Sequence, residues 1–281
     1  MKKIFIIVLI LFLFSNKAYA QKIDIFTSGT LKSPHGAIIN SIANSTEKHG
    51  LNFEAKQAGS CAEAVKIFEE SNKPIGLLWS TRMIKFSRET KQNCIPNFEK
   101  TIPMAVTFQS FDVCVLKDFE FQNNKEYTLG NSKWNPYKSQ LKYMNSNNRN
   151  ITFKNVNYEG SANVVAALVN KEINVGIVLL QSAAASIEAG TIKCLYSTGS
   201  KKYGQQPLRN FAGESPIAEL QLGTMFFVRN MNPKQIEILK KSLEEDFVKE
   251  MEKMESINTK VEINKEEFSL YIKYAEQDQF D

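Results

Sequence analysis

The stretch 158–203 constrains the fold of this chain more than any other feature. It reads YEGSANVVAALVNKEINVGIVLLQSAAASIEAGTIKCLYSTGSKKY. A Gly-Ser pair begins a helix-like segment with one apolar face, and the polar residues 170–172 end it. A strand-like run, a short alanine-rich helix and a second strand-like run follow. This order predicts a βαβ-type unit, in which helices pack on a sheet.

The same alternation of strand-like and helix-like segments extends over the rest of the chain. Before the unit, it places segments at 23–26, 34–48, 51–55, 61–70, 75–79, 127–129, 136–144 and 152–156. Strands that alternate with amphipathic helices predict sheets with helices on their faces. The long β-rich run 102–116 suits a strand that passes between two lobes, and 223–228 suits the strand that returns.

We therefore predict an α/β protein with two lobes, each a mainly parallel sheet flanked by helices, with hinge strands between them. Lobe 1 combines residues 21–110 with 224–281, and lobe 2 is 111–223. A helix is expected to start at Asn232-Pro233, where Gln235 completes a capping-box pattern. A last helix is expected to start at Asn264.

The first 20 residues have the pattern of a cleaved secretory signal peptide. Lys2 and Lys3 precede the apolar run 4–14, and Ala18-Tyr19-Ala20 supplies a small-x-small cleavage site. The run is too short to span a bilayer, which takes about 20 apolar residues. We expect a mature chain that begins at Gln21, is soluble and lies in the periplasm.

The charge of the chain argues against a nucleic-acid-binding surface. The formal net charge is +5, from 35 Lys and Arg against 30 Asp and Glu. This excess falls when Lys2, Lys3 and Lys17 leave with the signal peptide. Basic residues are interspersed with acidic ones, as on an ordinary solvated surface. We expect a monomer with no nucleic-acid partner.

The cysteine and histidine content limits the available chemistry. The chain has four cysteines without a Cys-x-x-Cys pair, and two histidines. Zinc and thiol redox chemistry are therefore not expected, and neither a metal nor a cofactor is predicted. In an oxidising compartment Cys61 and Cys94 are predicted to form a disulfide, because both fall at element ends within one lobe. Cys114 and Cys194 lie in apolar strand-like runs, which favours small buried side chains.

The stretch 158–203 closely resembles a segment of the solute-binding receptors of tripartite tricarboxylate transporters, the Bug-type periplasmic proteins. That segment has an aromatic-x-Gly-Ser helix start, a small-residue helix after a strand, and a Gly-x-hydrophobic strand that ends in Thr or Ser before a basic pair. The matching positions here are Tyr158, Gly160, Ser161, Ser182, Ala183, Gly190, Thr198, Lys201 and Lys202. The helix from Asn264 resembles the family's closing Pro-Glu-Glu-Phe helix.

Two positions depart from the family's pattern. Leu31-Lys32-Ser33-Pro34-His35 stands where the family has a run of glycines ending in Thr-Asp, and Val178 stands where an acidic residue is usual. The loop 57–60 matches the family's Pro-Gly-Ala-Gly-Gly loop in place and partly in kind. The resemblance implies a type II periplasmic-binding-protein architecture. It also implies capture of a small organic anion, a carboxylate, between the lobes and delivery to integral membrane transporter subunits.

In open α/β sheets, ligands bind beyond the carboxyl ends of the strands, where backbone N–H groups at helix starts point outward. Five such loops are rich in Gly, Ser, Thr or Asn, which suits hydrogen bonding to a carboxylate. The alternative is that these residues only cap helices. The predicted ligand-binding residues are Ser28, Gly29, Thr30, Lys32, Ser33, Gly59, Ser60, Ser80, Thr81, Gly130, Asn131, Ser132, Tyr158, Gly160, Ser161, Gln181 and Ser182.

Cations and aromatic residues in the same loops are further candidates. Lys32, Arg82 and Lys133 put one cation in each of three loops, which would attract an anion; the alternative is a solvated loop tip. Trp79 and Trp134 border two loops and could form an apolar wall, although buried packing is the more frequent use of Trp. His35, at a helix start, could donate to a ligand, or be a plain helix-start residue.

A non-enzymatic receptor is the preferred interpretation, with an enzyme as the weaker one. Nucleophilic catalysis needs a nucleophile and a base, and Cys61 at a helix start with His35 would be such a pair in a thiol hydrolase. No Gly-x-Ser-x-Gly or phosphate-binding Walker pattern is present. The sequence is also compatible with a receptor of a different transporter class that takes a non-carboxylate solute, and with an adaptor that has lost ligand binding.

Overall fold

A computed structural model describes most of the chain. The residues it describes are 22–31, 34–109, 111–132, 151–197, 206–207, 223–254, 257–261, 266, 268–269 and 272–273. The predicted signal peptide and the predicted helix at 136–144 lie outside them. Within the described ranges, none of the helices combines the length and the apolar composition that a bilayer-spanning helix needs.

The first sheet has six strands in the spatial order β12-β4-β11-β3-β1-β2. Its strands are β1 (Lys22–Thr27), β2 (Asn52–Gln57), β3 (Ile75–Ser80), β4 (Ile102–Gln109), β11 (Gly223–Arg229) and β12 (Ile257–Val261). The pairs β1–β2 and β1–β3 are parallel, whereas β11 and β12 are antiparallel to their neighbours.

Helices cover both faces of this first sheet. They are α1 (Pro34–Glu47), α2 (Cys61–Glu70), α3 (Arg82–Thr90), α6 (Pro233–Ser242) and α7 (Val248–Glu252), with a 3-10 turn at Phe98–Lys100 and a π-helical turn at Leu243–Phe247. Ile38 and Ile39 of α1 belong to the core on one face, and Val65 and Phe68 of α2 to the core on the other. The predicted capping box is confirmed, since Asn232 and Gln235 exchange side-chain to backbone hydrogen bonds.

The second sheet has the order β10-β9-β5-β8-β6-β7. Its strands are β5 (Phe111–Leu116), β6 (Glu126–Ser132), β7 (Thr152–Tyr158), β8 (Val175–Leu179), β9 (Ile192–Ser197) and β10 (Gln206–Pro207), with helices α4 (Ser161–Val169) and α5 (Leu180–Glu188). The predicted βαβ-type unit is present as β7-α4-β8-α5-β9.

The predicted α/β class with two sheets flanked by helices is confirmed, and each sheet is mixed rather than mainly parallel. Residue 110 separates β4 of the first sheet from β5 of the second, and β11 belongs to the first sheet again. Strand β5 is antiparallel to both of its neighbours, β8 and β9, and strand β11 is antiparallel to β3 and β4. Strand pairing places the chain in two sheets, while the exact lobe boundaries stay a prediction.

Two disulfides are present. One joins Cys61 to Cys94, the pairing expected from the sequence. The other joins Cys114 to Cys194, so the expectation of two buried thiols was wrong. These two residues face each other across the antiparallel pair β5–β9, although 80 positions separate them in sequence. The pairing of β5 with β9 brings the two cysteines together, and this pairing cannot be recognised from the apolar character of each strand.

Candidate functional site

The carboxyl ends of the parallel strands β1, β2 and β3 meet at one edge of the first sheet. Thr27 is in register with Gln57 of β2 and with Leu78 of β3, so β3 extends two residues further to Ser80. Ser80 and Thr81 then lead directly into α3, which begins at Arg82. This helix was not expected from the sequence.

A row of four hydroxyl side chains crosses the sheet at this edge. Thr224 of β11 lies opposite Ser80 on one side and opposite Thr107 on the other, and Thr107 lies opposite Thr259 of β12. Directly opposite residues on paired strands share one face of the sheet. The same face carries Leu78 and the core packed on α1, so the hydroxyl row lies on the α1 side of the sheet.

The first turn of α1 places His35 over this row. Its Nε2 lies 3.3 Å from Thr224 Oγ1, and the imidazole is nine-tenths buried. Gly29 packs so closely here that a Cβ on it would lie 3.0 Å from the His35 Cβ. Burial, and secondarily the positive charge of Arg82, lowers the pKa of His35 to about 3. The imidazole is therefore neutral at pH 7.

Arg82 is the cation of this edge. Arg82 is half-buried, and its Nε is enclosed with no hydrogen-bond partner in the described residues. Burial lowers its pKa, but arginine stays protonated at neutral pH. The Ser80 hydroxyl is 5% exposed and its Oγ likewise has no hydrogen-bond partner in the described part of the chain. A half-buried cation and a buried hydroxyl without a hydrogen-bond partner, both at a helix start, can together bind an anion.

In the neighbouring loop between β2 and α2, the polar groups form hydrogen bonds with the first turn of α2. The Gly59 N–H donates to Glu63 Oε2 at 2.7 Å, and the Ser60 hydroxyl oxygen accepts from the Glu63 N–H at 3.1 Å. Ser60 is thus the N-cap of α2, as the helix-capping interpretation expects. After β1, Ser28 and Gly29 are half-buried, and the Gly29 N–H donates to the Thr27 hydroxyl oxygen at 3.1 Å, while Thr30 is exposed.

In the second sheet, three candidates lie inside a strand rather than in a loop. Gly130, Asn131 and Ser132 are the last residues of β6 and are all buried. Ser132 is in register with Tyr158, the last residue of β7. Burial, with the nearby negative charge of Glu172, raises the pKa of the Tyr158 hydroxyl. These residues form a neutral polar edge, which corrects the loop expected at 130–132.

The start of α4 is tied to the start of α5. The Ser161 hydroxyl oxygen accepts from the Leu179 N–H at 3.1 Å, and Gly160 is the N-cap of α4. Gln181 and Ser182 lie in the first turn of α5 and are half-buried. The carboxyl ends of β6, β7 and β8 thus bring together the candidates of the second sheet at one edge.

Several sequence candidates have another role or lie elsewhere. Trp79 is buried, packs against Phe98 and Phe227, and donates its Nε1–H to the Cys94 carbonyl oxygen at 2.7 Å, so it is a core residue rather than a wall of the site. The remaining candidates lie outside the described residues: Lys32, Ser33, Lys133 and Trp134.

The thiol-hydrolase interpretation lacks its nucleophile, because the sulfur of Cys61 is bonded to Cys94 and a thiolate is what attacks. Among the described residues, no group of three His, Cys, Asp or Glu side chains is arranged to hold a metal ion. What the described geometry offers is noncovalent binding at two sheet edges.

The fold is that of the two-lobed periplasmic binding proteins. The TctC solute-binding protein from Polaromonas is similar over 93% of this chain and 98% of its own, with a TM-score of 0.65 and 13% identity. The periplasmic binding protein BugD is similar over 93% of this chain and 96% of its own, with a TM-score of 0.59 and 16% identity. MatC from Rhodopseudomonas palustris, whose structure has bound malate, is similar over 93% of this chain and 99% of its own, with a TM-score of 0.60 and 11% identity.

The sequence itself is divergent. No family model matches the chain, and no curated protein matches it by sequence. The resemblance to Bug-type receptors that was recognised in 158–203 is therefore confirmed at the level of the fold, by structures of the TctC and Bug type.

Proposed function

We propose that this protein is an extracytoplasmic solute receptor of the tripartite tricarboxylate transporter type. It closes two lobes on a small organic anion and presents the closed form to integral membrane transporter subunits. The signal-peptide pattern of residues 1–20 supports export, and the fold shared with periplasmic binding proteins supports solute binding. The mature chain acts as a monomer, with lobes 21–110 plus 224–281 and 111–223.

The edge formed by Ser80 and Arg82 is the observation that supports an anionic solute. Arg82 is half-buried with an unpartnered, enclosed Nε, and withdrawing part of a charged group from water without a partner is costly, which favours an anionic ligand there. A carboxylate is the natural partner, since guanidinium binds it through two parallel hydrogen bonds. The neutral His35 beside Arg82 adds no second charge to the edge. We propose that a carboxylate of the solute binds Arg82 and the Ser80 hydroxyl.

The second sheet supplies the other side of the proposed site. Its edge offers the amide of Asn131 and the hydroxyls of Ser132 and Tyr158. Neutral groups of this kind bind hydroxyl, carbonyl or further carboxylate oxygens of a solute. Malate, which is bound in the structure of MatC, carries both carboxylate and hydroxyl groups and belongs in any first test.

A thermal-shift screen with mono-, di- and tricarboxylates, amino acids and aromatic acids tests this proposal. A solute at a hundredfold excess over its dissociation constant stabilises the protein by about 2.7 kcal/mol. Arg82→Gln should weaken the best binder tenfold to a hundredfold, because a charge-assisted hydrogen bond contributes roughly 1.5–3 kcal/mol.

Arg88→Gln is the matched control, since Arg88 lies in the last turn of the same helix and is more accessible than Arg82. The Arg88→Gln variant also removes one positive charge, but six positions away from the proposed contact at Arg82. Equal loss of affinity in both variants would indicate a long-range effect of charge and would place the carboxylate elsewhere.

A further inference from the structure

Cys94 is fully buried although it lies in the irregular segment that follows α3. Its sulfur is bonded to Cys61, the first residue of α2. Its carbonyl oxygen accepts from Trp79 Nε1 at 2.7 Å, and its N–H donates to the Ser87 hydroxyl oxygen at 3.5 Å. Cys94 therefore connects α2, the end of β3 and the last turns of α3.

Helix α3 packs shallowly on the first sheet. Of its nine residues only Ile84 is fully buried, and a helix of this length is not stable by itself in water. At its start, the Thr81 N–H donates to the Gly223 carbonyl oxygen at 3.0 Å. At its other end, Ser87 accepts from the buried Cys94 N–H, and Cys94 is bonded to Cys61 of α2. These two attachments hold opposite ends of the helix and contribute to its direction, and with it to the position of Arg82.

We infer that the Cys61–Cys94 disulfide positions the Ser80–Arg82 edge for anion binding, in addition to stabilising the fold. Trp79 immediately precedes Ser80, so the hydrogen bond from its indole to Cys94 ties the strand end to the same disulfide. A loosened α3 would let Arg82 turn into solvent. The part of this inference that concerns affinity rests on the proposed function, whereas the part that concerns α3 does not.

The second disulfide is a matched control for the first. Cys114 and Cys194 link β5 to β9, two strands that already pair along a ladder of backbone hydrogen bonds. Removing this link costs stability by releasing the unfolded chain. Because the helices that pack on it, α4 and α5, lie on the second sheet, the Ser80–Arg82 edge should stay in place.

Hydrogen exchange on the ligand-free full chain tests the positioning role. Cys61→Ser with Cys94→Ser should speed exchange in residues 79–90 well beyond the change seen elsewhere in the first sheet. Cys114→Ser with Cys194→Ser should leave 79–90 as in the unmodified protein. Exchange in 79–90 that is unchanged in the first variant, or raised equally in both, would overturn the inference. If the first variant does not fold, Ser87→Ala loosens the same segment without touching the disulfide and should speed exchange in 82–90; unchanged exchange there would likewise overturn it.

A double-mutant cycle with malate as the probe separates positioning from stability. Arg82→Gln should weaken malate binding tenfold or more in the unmodified protein and less than about threefold in the Cys61→Ser, Cys94→Ser background, because the guanidinium is already displaced there. Equal effects in both backgrounds would contradict the positioning role. If the unmodified protein does not bind malate or any acid of the panel, the proposed function fails, and exchange in 79–90 still decides whether the disulfide positions α3.

Discussion

His35 Nε2 lies 3.3 Å from Thr224 Oγ1, so the first turn of α1 contacts the strand β11 at the edge of the first sheet. This contact joins the first helix of the described residues to a strand 189 positions later. The imidazole also lies near Arg82, whose charge lowers the His35 pKa. A bound group that changes the charge beside His35 should therefore change the His35 pKa.

Acid should destabilise the protein through His35. Its pKa is about 3 in the folded protein against an ordinary value of 6.5, so the unfolded chain binds more protons between these values. The free energy of unfolding then falls as the pH drops from 6.5 to 3, by at most about 1.4 kcal/mol per pH unit for one proton. Urea unfolding at several pH values measures the slope. His35→Gln should flatten it between pH 6.5 and about 5, and an unchanged slope in this variant would contradict this assignment.

Removing the Arg82 charge should raise the His35 pKa. A neighbouring cation disfavours the imidazolium, so Arg82→Gln lifts this restraint while leaving burial, the larger cause, in place. The chain has two histidines, which makes an NMR titration of the ring protons easy to assign. A bound carboxylate should shift the His35 pKa in the same direction. An unchanged His35 pKa in Arg82→Gln would show that the two side chains do not interact.

Arg82→Gln should stabilise the ligand-free protein while it weakens binding. Arg82 is half-buried and its enclosed Nε has no hydrogen-bond partner in the described residues, and glutamine keeps much of the stem without the charge. We expect a gain of roughly 1 kcal/mol in the free energy of unfolding, as is common when a strained binding site is relaxed. Arg88→Gln, at an exposed position of the same helix, should give no such gain. Destabilisation by Arg82→Gln would indicate a structural partner for the guanidinium.

Gly130→Ala and Gly59→Ala should differ in stability. A Cβ at Gly130 would overlap Ile173 and lie 3.1 Å from Val164 Cγ1 in the core of the second sheet, and overpacking a core costs typically about 1–3 kcal/mol. A Cβ at Gly59 would meet only the Glu63 carboxylate, 2.8 Å away at the end of a flexible side chain. Thermal unfolding of both variants measures the difference. Equal stability would mean that Gly130 is not tightly packed.

The mature protein should begin at Gln21. The basic start, the short apolar run and Ala18-Tyr19-Ala20 motivate this prediction. Intact mass of the protein from the periplasmic fraction of an expressing cell measures it. Material that keeps residues 1–20 and stays with membranes would contradict it.

The sequence by itself determined the α/β class, because the spacing of apolar residues directly reflects the local helix or strand period. It also indicated the Cys61–Cys94 pair, whose members lie at element ends of one lobe. The carboxyl-edge rule brought Ser80 and Arg82 into the candidate set from their position after an apolar strand. Helix α3 was missed, because most of its residues are polar and only Ile84 is fully buried.

Only the tertiary structure decided which candidates share an edge. The row of Ser80, Thr224, Thr107 and Thr259 depends on strand order and register across four strands, which no local pattern encodes. The Cys114–Cys194 link depends on the same pairing. Nor does the sequence reveal that the Arg82 Nε is enclosed without a hydrogen-bond partner among the described residues, while the Gly59 N–H already donates to Glu63. These properties come from contacts between residues distant in sequence, and the free energy of burial depends on such contacts rather than on residue type.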